Sequence, residues 1–195
     1  VVTSFSWSGD MGADGGLVKY SATFKTYSPV GLNVDGSGYT ITPYTLVAAQ
    51  TLTMGDWQTP ANRAIGGETH LMVNSFSMNL ENDAVFMGRA ASGVPEAIGR
   101  GAELSATADI NVKYDDESAD MLSDFQGATS GATTGNTILS NASTPATGAS
   151  WGFQFPQSVF TSVALSEGDI MAIDASVKMV GYGVGTTTVC ATIAD

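Results

Sequence analysis

Between residues 103 and 112 the chain alternates without a break. Leu104, Ala106, Ala108, Ile110 and Val112 are apolar, and Glu103, Ser105, Thr107, Asp109 and Asn111 stand between them. A period of two puts the first set on one face of a β-strand and the second on the other, a pattern that no helix accommodates. Residues 169–180 do the same: Met171, Ile173, Ala175, Val177 and Met179 share one face, while Ala172, Asp174, Ser176 and Lys178 share the other. A third strand sets Asn74, Phe76, Met78 and Leu80 against Val73, Ser75, Ser77 and Asn79. Three half-buried strands oblige the chain to build sheets with one covered face. Composition agrees: only 13% of residues are charged and 23 are Gly, so the polar surface is mostly Ser, Thr and Asn, which suits strands and turns. The expected core is Phe76, Met78, Ile110, Val112, Met171, Ile173 and Val177.

The third strand repeats an earlier phrase. Val2, Ser4, Phe5 and Ser6 return as Val73, Ser75, Phe76 and Ser77, and Ser21-Ala22-Thr23 returns as Ser105-Ala106-Thr107. The connection between the two matched segments is longer in the second copy, where it holds FMGRAASGVPEAIGR. Two segments in the same order argue for a duplicated β unit. The expected organisation is a partial first copy with a linker over 1–60 and a complete domain over 61–195. The chain opens inside a strand without an initiator Met, which predicts residues upstream that are missing or processed away.

One segment departs from alternation. DDESADMLSDFQG, residues 115–127, has acids in its first turn and Gly127 at its end, with Met121, Leu122 and Phe125 on one helical stripe. This predicts a single short helix, about 115–126, packed on a sheet by those three residues. Its acids lack the calcium-loop pattern and read as a solvated face. Trp151 to Phe155 reads as a short strand stopped by Pro156. Residues 127–150 read as a long loop, interrupted only at Ile138-Leu139. Residues 28–70 read as turn-rich, with strand-like pieces at Tyr39–Ile41 and Leu46–Leu52.

Catalytic chemistry has little to work with. His70 is the only histidine, which excludes a Ser-His-Asp triad without it and a His-based metal cluster. Cys190 is the only cysteine, so no internal disulfide forms. No nucleophile elbow, phosphate loop or dinucleotide fingerprint is present, and GYGVG at 181–185 reads as a hairpin turn. Glu81 and Asp83 are the one pair to weigh as a glycosidase dyad. Asn141-Ala142-Ser143 matches a glycosylation acceptor. No apolar run is long enough to span a bilayer as a helix. Nineteen acids against seven bases give a net charge of −12, which opposes tight binding to nucleic acid or anionic membranes. The sum is an all-β protein built to assemble or bind, with no metal, no cofactor and no catalytic residues expected. A non-catalytic β-sandwich binding or decoration module, recognising carbohydrate or a virion surface, is one reading; it needs an aromatic platform, for which Trp7, Trp57 and Trp151 are candidates.

The order of elements adds another. GGETHLMVNSFSMNLEND, then GAELSATADINVKYDDESADMLSDFQG, then WGFQFPQSVFTSV and DIMAIDASVKMVGYG with TTVCATIAD closely resembles the major tail tube proteins of long-tailed bacteriophages. The likeness covers residues 66–195, and residues 1–30 resemble the end of a preceding related copy. It implies a β-sandwich with one short helix, whose sheets join between subunits into an inner β-barrel. It implies a structural virion protein that self-assembles into stacked rings, trimeric or hexameric, forming the hollow tail tube. The implied partners are copies of itself, the tape measure, tail tip and terminator proteins, and genomic DNA that passes through without tight binding. Assembly would take place in the host cytoplasm. Duplex DNA carries a negative charge about every 1.7 Å of axis, so an acidic or neutral polar lumen keeps it sliding, with repulsion reaching about 8 Å in physiological salt. On that expectation Glu103, Ser105, Thr107, Asp109, Asp174 and Ser176 face the lumen. Lys113 and Lys178 interrupt the acidic face and are expected to pair with acids of a neighbouring subunit. Residues 88–101 and 127–150 are the expected ring-stacking loops.

Overall fold

A computed structural model describes residues 1–25, 63–69, 72–88, 97–102, 104–127, 134–140, 152–167 and 171–180. The described chain is all-β with one short α-helix. Its strands are β1 (Val2–Asp10), β2 (Lys19–Phe24), β3 (Arg63–Ile65), β4 (Glu68–Thr69), β5 (Val73–Glu81), β6 (Ala84–Met87), β7 (Ala97–Arg100), β8 (Ser105–Lys113), β9 (Thr134–Ser140), β10 (Gly152–Ser166) and β11 (Ala172–Met179), with helix α1 (Asp116–Gly127) after β8. Nine strands form one sheet in the order β2-β1-β5-β8-β11-β10-β9-β3-β4, and β6-β7 form a separate hairpin. Every pair is antiparallel.

The sheet curls on itself. β5 and β10 stand three ladders apart, about 14 Å in a flat sheet. The rings of Phe76 on β5 and Phe153 on β10 are nonetheless 6.1 Å apart. The apolar faces therefore close on a shared core that runs from Trp7 through Phe76, Met78 and Ile110 to Ile65, Leu139 and Phe153. β10 makes the turn possible. Its first half pairs with β9 and its second half with β11, with register shifts between Phe155 and Ser158 and between Phe160 and Ser162. Pro156, exposed at the first shift, cannot donate a ladder hydrogen bond, yet it lies within a single strand of 15 residues. The proline marks a bulge rather than the strand end its chemistry suggested.

Most expected core residues are buried: Phe76 3%, Met78 0%, Ile110 2%, Val112 0%, Ile173 0% and Val177 1% exposed. Met171 is the exception at 54%. It keeps the parity of Ile173 but precedes the strand. A register shift between Val73 and Ser75 exchanges two more expectations. Val73 is buried, while the Asn74 amide donates to Asn111 Oδ1 at 2.8 Å. Residues 127–150 are not all loop: β9 occupies 134–140 and buries Leu139 completely.

The helix begins with a reciprocal cap. Ser118 N donates to Asp115 Oδ1 at 3.0 Å and Asp115 N donates to Ser118 Oγ at 2.8 Å, satisfying two backbone donors at the start. Met121 is fully buried, and Leu122 and Phe125 pack against the core beside it. The far edge is locked by glycine. The β3–β4 turn at Gly66-Gly67 has φ of 64° and 105°, and sits so close to Gly135 of β9 that a Cβ there would overlap the Gly66 carbonyl. Gly66 N donates to Thr137 Oγ1, and Gly67 N to Asn136 O, both at 3.0 Å.

The repeated phrase has a geometric meaning. β1 and β5 lie side by side, antiparallel, with Trp7 directly opposite Met78. Those two residues hold the same place in the two phrases, after Ser4-Phe5-Ser6 and Ser75-Phe76-Ser77. The order β2-β1-β5-β8 is thus symmetric about a local two-fold axis through the Trp7–Met78 pair. The second match shifts. Ser6 faces Ser21, but Ser77 faces Asp109, so the structural counterpart of Ser21 is Asp109 and the two Ser-Ala-Thr triplets are not equivalent. The longer connection of the second copy contains the β6–β7 hairpin. Tyr39–Ile41, Leu46–Leu52, Trp57, His70, Glu103, the 141–143 acceptor, Trp151, the 181–185 turn and Cys190 lie outside the described residues.

Candidate functional site

The face opposite the core is the most distinctive surface. Alternation on β1, β5, β8 and β11 places Ser4, Ser6 and Ser8, then Ser75, Ser77 and Asn79, then Ser105, Thr107, Asp109 and Asn111, then Asp174 and Ser176 side by side across four neighbouring strands. Five of the six expected lumen residues meet here: Ser105 opposite Glu81, Thr107 opposite Lys178 and Asn79, Asp109 opposite Ser77 and Ser176, Asp174 opposite Asn111. No aromatic or long aliphatic side chain stands on this part of the face, because every one of those strands spends its large residues on the core.

The face is cross-linked by short hydrogen bonds between side chains. Asn111 Nδ2 donates to Asp174 Oδ1 at 2.6 Å, after Asn111 itself has accepted from Asn74. Ser176 Oγ donates to Asp109 Oδ1 at 2.6 Å. Both carboxylates are exposed, and these bonds fix their rotamers rather than bury their charge. Asn111 and Asn74 are the residues that sequence reading passed over as functional. Asn111 shares the parity of Asp109, which was the available signal; Asn74 reaches the face only through the bulge, which no periodicity announces.

The β1–β2 connection folds across one end of this face. With it the sheet forms a trough of about 500 Å³, lined by Ser8, Asp10, Ala13, Leu17 and Lys19 on one side and Ser75, Ser77, Asp109, Asn111, Asp174 and Ser176 on the other. The trough holds acceptors, small donors and the Lys19 ammonium, and the one aromatic residue along it, Phe76, keeps its ring buried in the core at 3% exposure, out of reach for stacking on a planar ligand or a sugar.

The other expectations separate. Trp7, the described candidate for an aromatic platform, is buried at 3% exposure, edge-on to Phe5 at 5.4 Å, so it cannot serve as one. Glu81 and Asp83 are both exposed at the end of β5, in the turn leading to β6. Among the described residues no group of three or more His, Cys, Asp or Glu is placed to hold a metal ion. No helix among them is long and apolar enough to cross a membrane. Away from this face, the Glu68 carboxyl on β4 has its pKa pushed up by burial, and further by the Asp124 and Asp120 carboxylates of α1. Comparison with known proteins adds no relative: no family model matches the chain, and no curated protein matches it significantly.

Proposed function

We propose that the protein is a structural subunit that self-assembles into stacked rings enclosing a polar conduit for DNA, as the major tail tube protein of a long-tailed phage virion does. The observation that carries this reading is the face built from β1, β5, β8 and β11. A conduit wall for a polyanion needs a continuous surface without bulky projections and without clustered cations, and this face offers Ser, Thr, Asn and Asp across four strands, with its two lysines of β8 and β11, Lys113 and Lys178, set apart at opposite ends. Its strands also need partners. Among the described residues the sheet ends at β2, where Tyr20 is 69% and Phe24 65% exposed, and at the two-residue β4. Edge pairing between copies, closed by rotation into a ring, would satisfy the β2 edge.

The internal duplication bears on ring number in one way. A two-fold axis relates β1–β2 to β5–β8, whereas neighbours in a ring are related by rotation about the tube axis, which keeps strand direction. Within this reading the two-fold repeat favours a ring in which each chain supplies one position.

Negative-stain electron microscopy of the purified chain at rising concentration tests the proposal. Annular particles or hollow tubes with a stain-filled channel are expected. Compact particles without a channel at every concentration, together with a solution mass of one chain, would remove it. The trough favours a second reading, a small-ligand binding module. That reading predicts saturable heat on titration with a polyol or saccharide, lost on Asp109→Ala.

A further inference from the structure

The two ends of the sheet expose apolar side chains that the fold does not need. At one end, one large residue projects from each of five adjacent strands: Met11 after β1, Met72 before β5, Tyr114 after β8, Met171 before β11 and Leu165 near the end of β10. They are neighbours through the backbone, since Met11 N donates to Asn74 O, Lys113 N to Met72 O and Tyr114 N to Met171 O. Each is between 39% and 54% exposed. At about 4.8 Å per strand the row is about 20 Å long. Met11, Tyr114, Met171 and Leu165 carry the parity of the core face, so this rim is the open end of the core itself.

The opposite end exposes a second group. Val2 and Phe24 close the β1–β2 ladder there, and the β6–β7 hairpin adds Val85, Met87 and Ile98. The hairpin is held at that end by Lys25, whose Nζ donates to Ala84 O at 3.1 Å and lies 6.0 Å from the Phe86 ring.

The charges around the rims differ. Asp10, Asp115, Asp116 and Glu167 surround the first, with Lys113 and Lys19 against them; Lys25 and Arg100 stand at the second with Glu81 and Asp83. Two copies of the first rim brought together would set eight carboxylates against four lysines, a net like-charge penalty against symmetric pairing. The first rim against the second covers both apolar groups at once and sets Lys25 and Arg100 near the acids.

We propose that the methionine-rich rim of one copy docks on the hairpin rim of a second copy, end to end. Methionine suits this role because its flexible thioether chain adapts to a surface that it meets only on assembly. Within the conduit reading these are the two surfaces by which rings stack, but the inference rests on the exposed side chains and holds whether or not the copies also close laterally.

Two full-chain variants test it, Met171→Glu and Ile98→Glu, each at a position more than half exposed, with circular dichroism as the check that both fold. Sedimentation velocity should show the parent chain growing in mass with concentration beyond a pair. Each variant alone should lose that growth, because one rim is spoiled. An equimolar mixture should give pairs of the unit, monomer or ring, and nothing longer, since one intact junction remains. The proposal is overturned if either variant associates like the parent, if Ile98→Glu pairs with itself through two intact first rims, or if the parent never grows. Annular particles that do not stack would sink this docking and leave the conduit reading standing. Stacks without a channel would do the reverse.

Discussion

Replacing Trp7 by Ala tests the seam between β1 and β5 most directly. The indole is 3% exposed, meets the Phe5 ring at 5.4 Å and 61°, and faces Met78 across the ladder. Truncating a buried Trp costs about 3–5 kcal/mol, of which about 0.5–1.5 kcal/mol belongs to the edge-on ring pair. Against a total stability of about 5–15 kcal/mol this is a large fraction. With a urea slope of about 1–3 kcal/mol per M, the unfolding midpoint should fall by about 1 M or more. Far-UV circular dichroism is the suitable signal, because it does not depend on the residue being removed. Met78→Ala should cost about 2–5 kcal/mol by itself. Since the two side chains share one site, the double variant should depart from additivity by about 0.5–3 kcal/mol. A Trp7→Ala loss below about 1 kcal/mol would refute the placement of the indole in the core, and strict additivity would separate the two residues that the two-fold axis brings together.

Three further outcomes are expected. Glu68 has its pKa raised in the folded state, so folding favours its neutral form and ionisation removes stability as pH climbs above the ordinary value of 4.5. Glu68→Gln should therefore raise the melting temperature at pH 7 and lose that advantage well below pH 4.5; an advantage that persists in acid would contradict the carboxylate repulsion from Asp124 and Asp120. Gly135→Ala should destabilise by about 1–3 kcal/mol or more, because its Cβ would overlap the Gly66 carbonyl, and a neutral result in thermal unfolding would mean the β3–β4 turn does not sit on β9. Ile173→Ala should cost about 2–5 kcal/mol while Met171→Ala stays within about 0.5 kcal/mol, a contrast that urea titration of the two variants resolves.

Much of the sheet is legible in the sequence because burial on one side and water on the other write a period of two. Ser105 to Lys113 and Ile173 to Met179 match their alternation residue by residue, and the helix is readable from Asp115, Met121 and Phe125. The misses share a cause. Val73 and Asn74 trade faces at a bulge, and β10 crosses Pro156 at another. A bulge adds a residue to one strand alone, so it depends on a partner strand that local sequence does not contain. β9 escapes notice for a related reason: Thr134, Gly135 and Asn136 look like loop, and their strand form depends on pairing with β10. The lumen candidates on β8 and β11 were found as separate strands. That they adjoin, and that Asn111 ties them together, follows from a register set by contacts distant in sequence.

The curl of the main sheet lays it in two layers, β1-β5-β8-β11 on one side and β9-β3-β4 on the other, and β10 belongs to both. One end of it is hydrogen-bonded to β9 and the other to β11, and the covalent chain runs between them without a loop. Neither layer has a boundary at which it can open alone, since peeling one away bends or drags the strand that holds the other. The two layers should therefore unfold as a single cooperative unit and not as separate foldons. The middle of β10 is where amide hydrogens should exchange with solvent most slowly, at the rate of global opening, making this strand the clock for the whole fold.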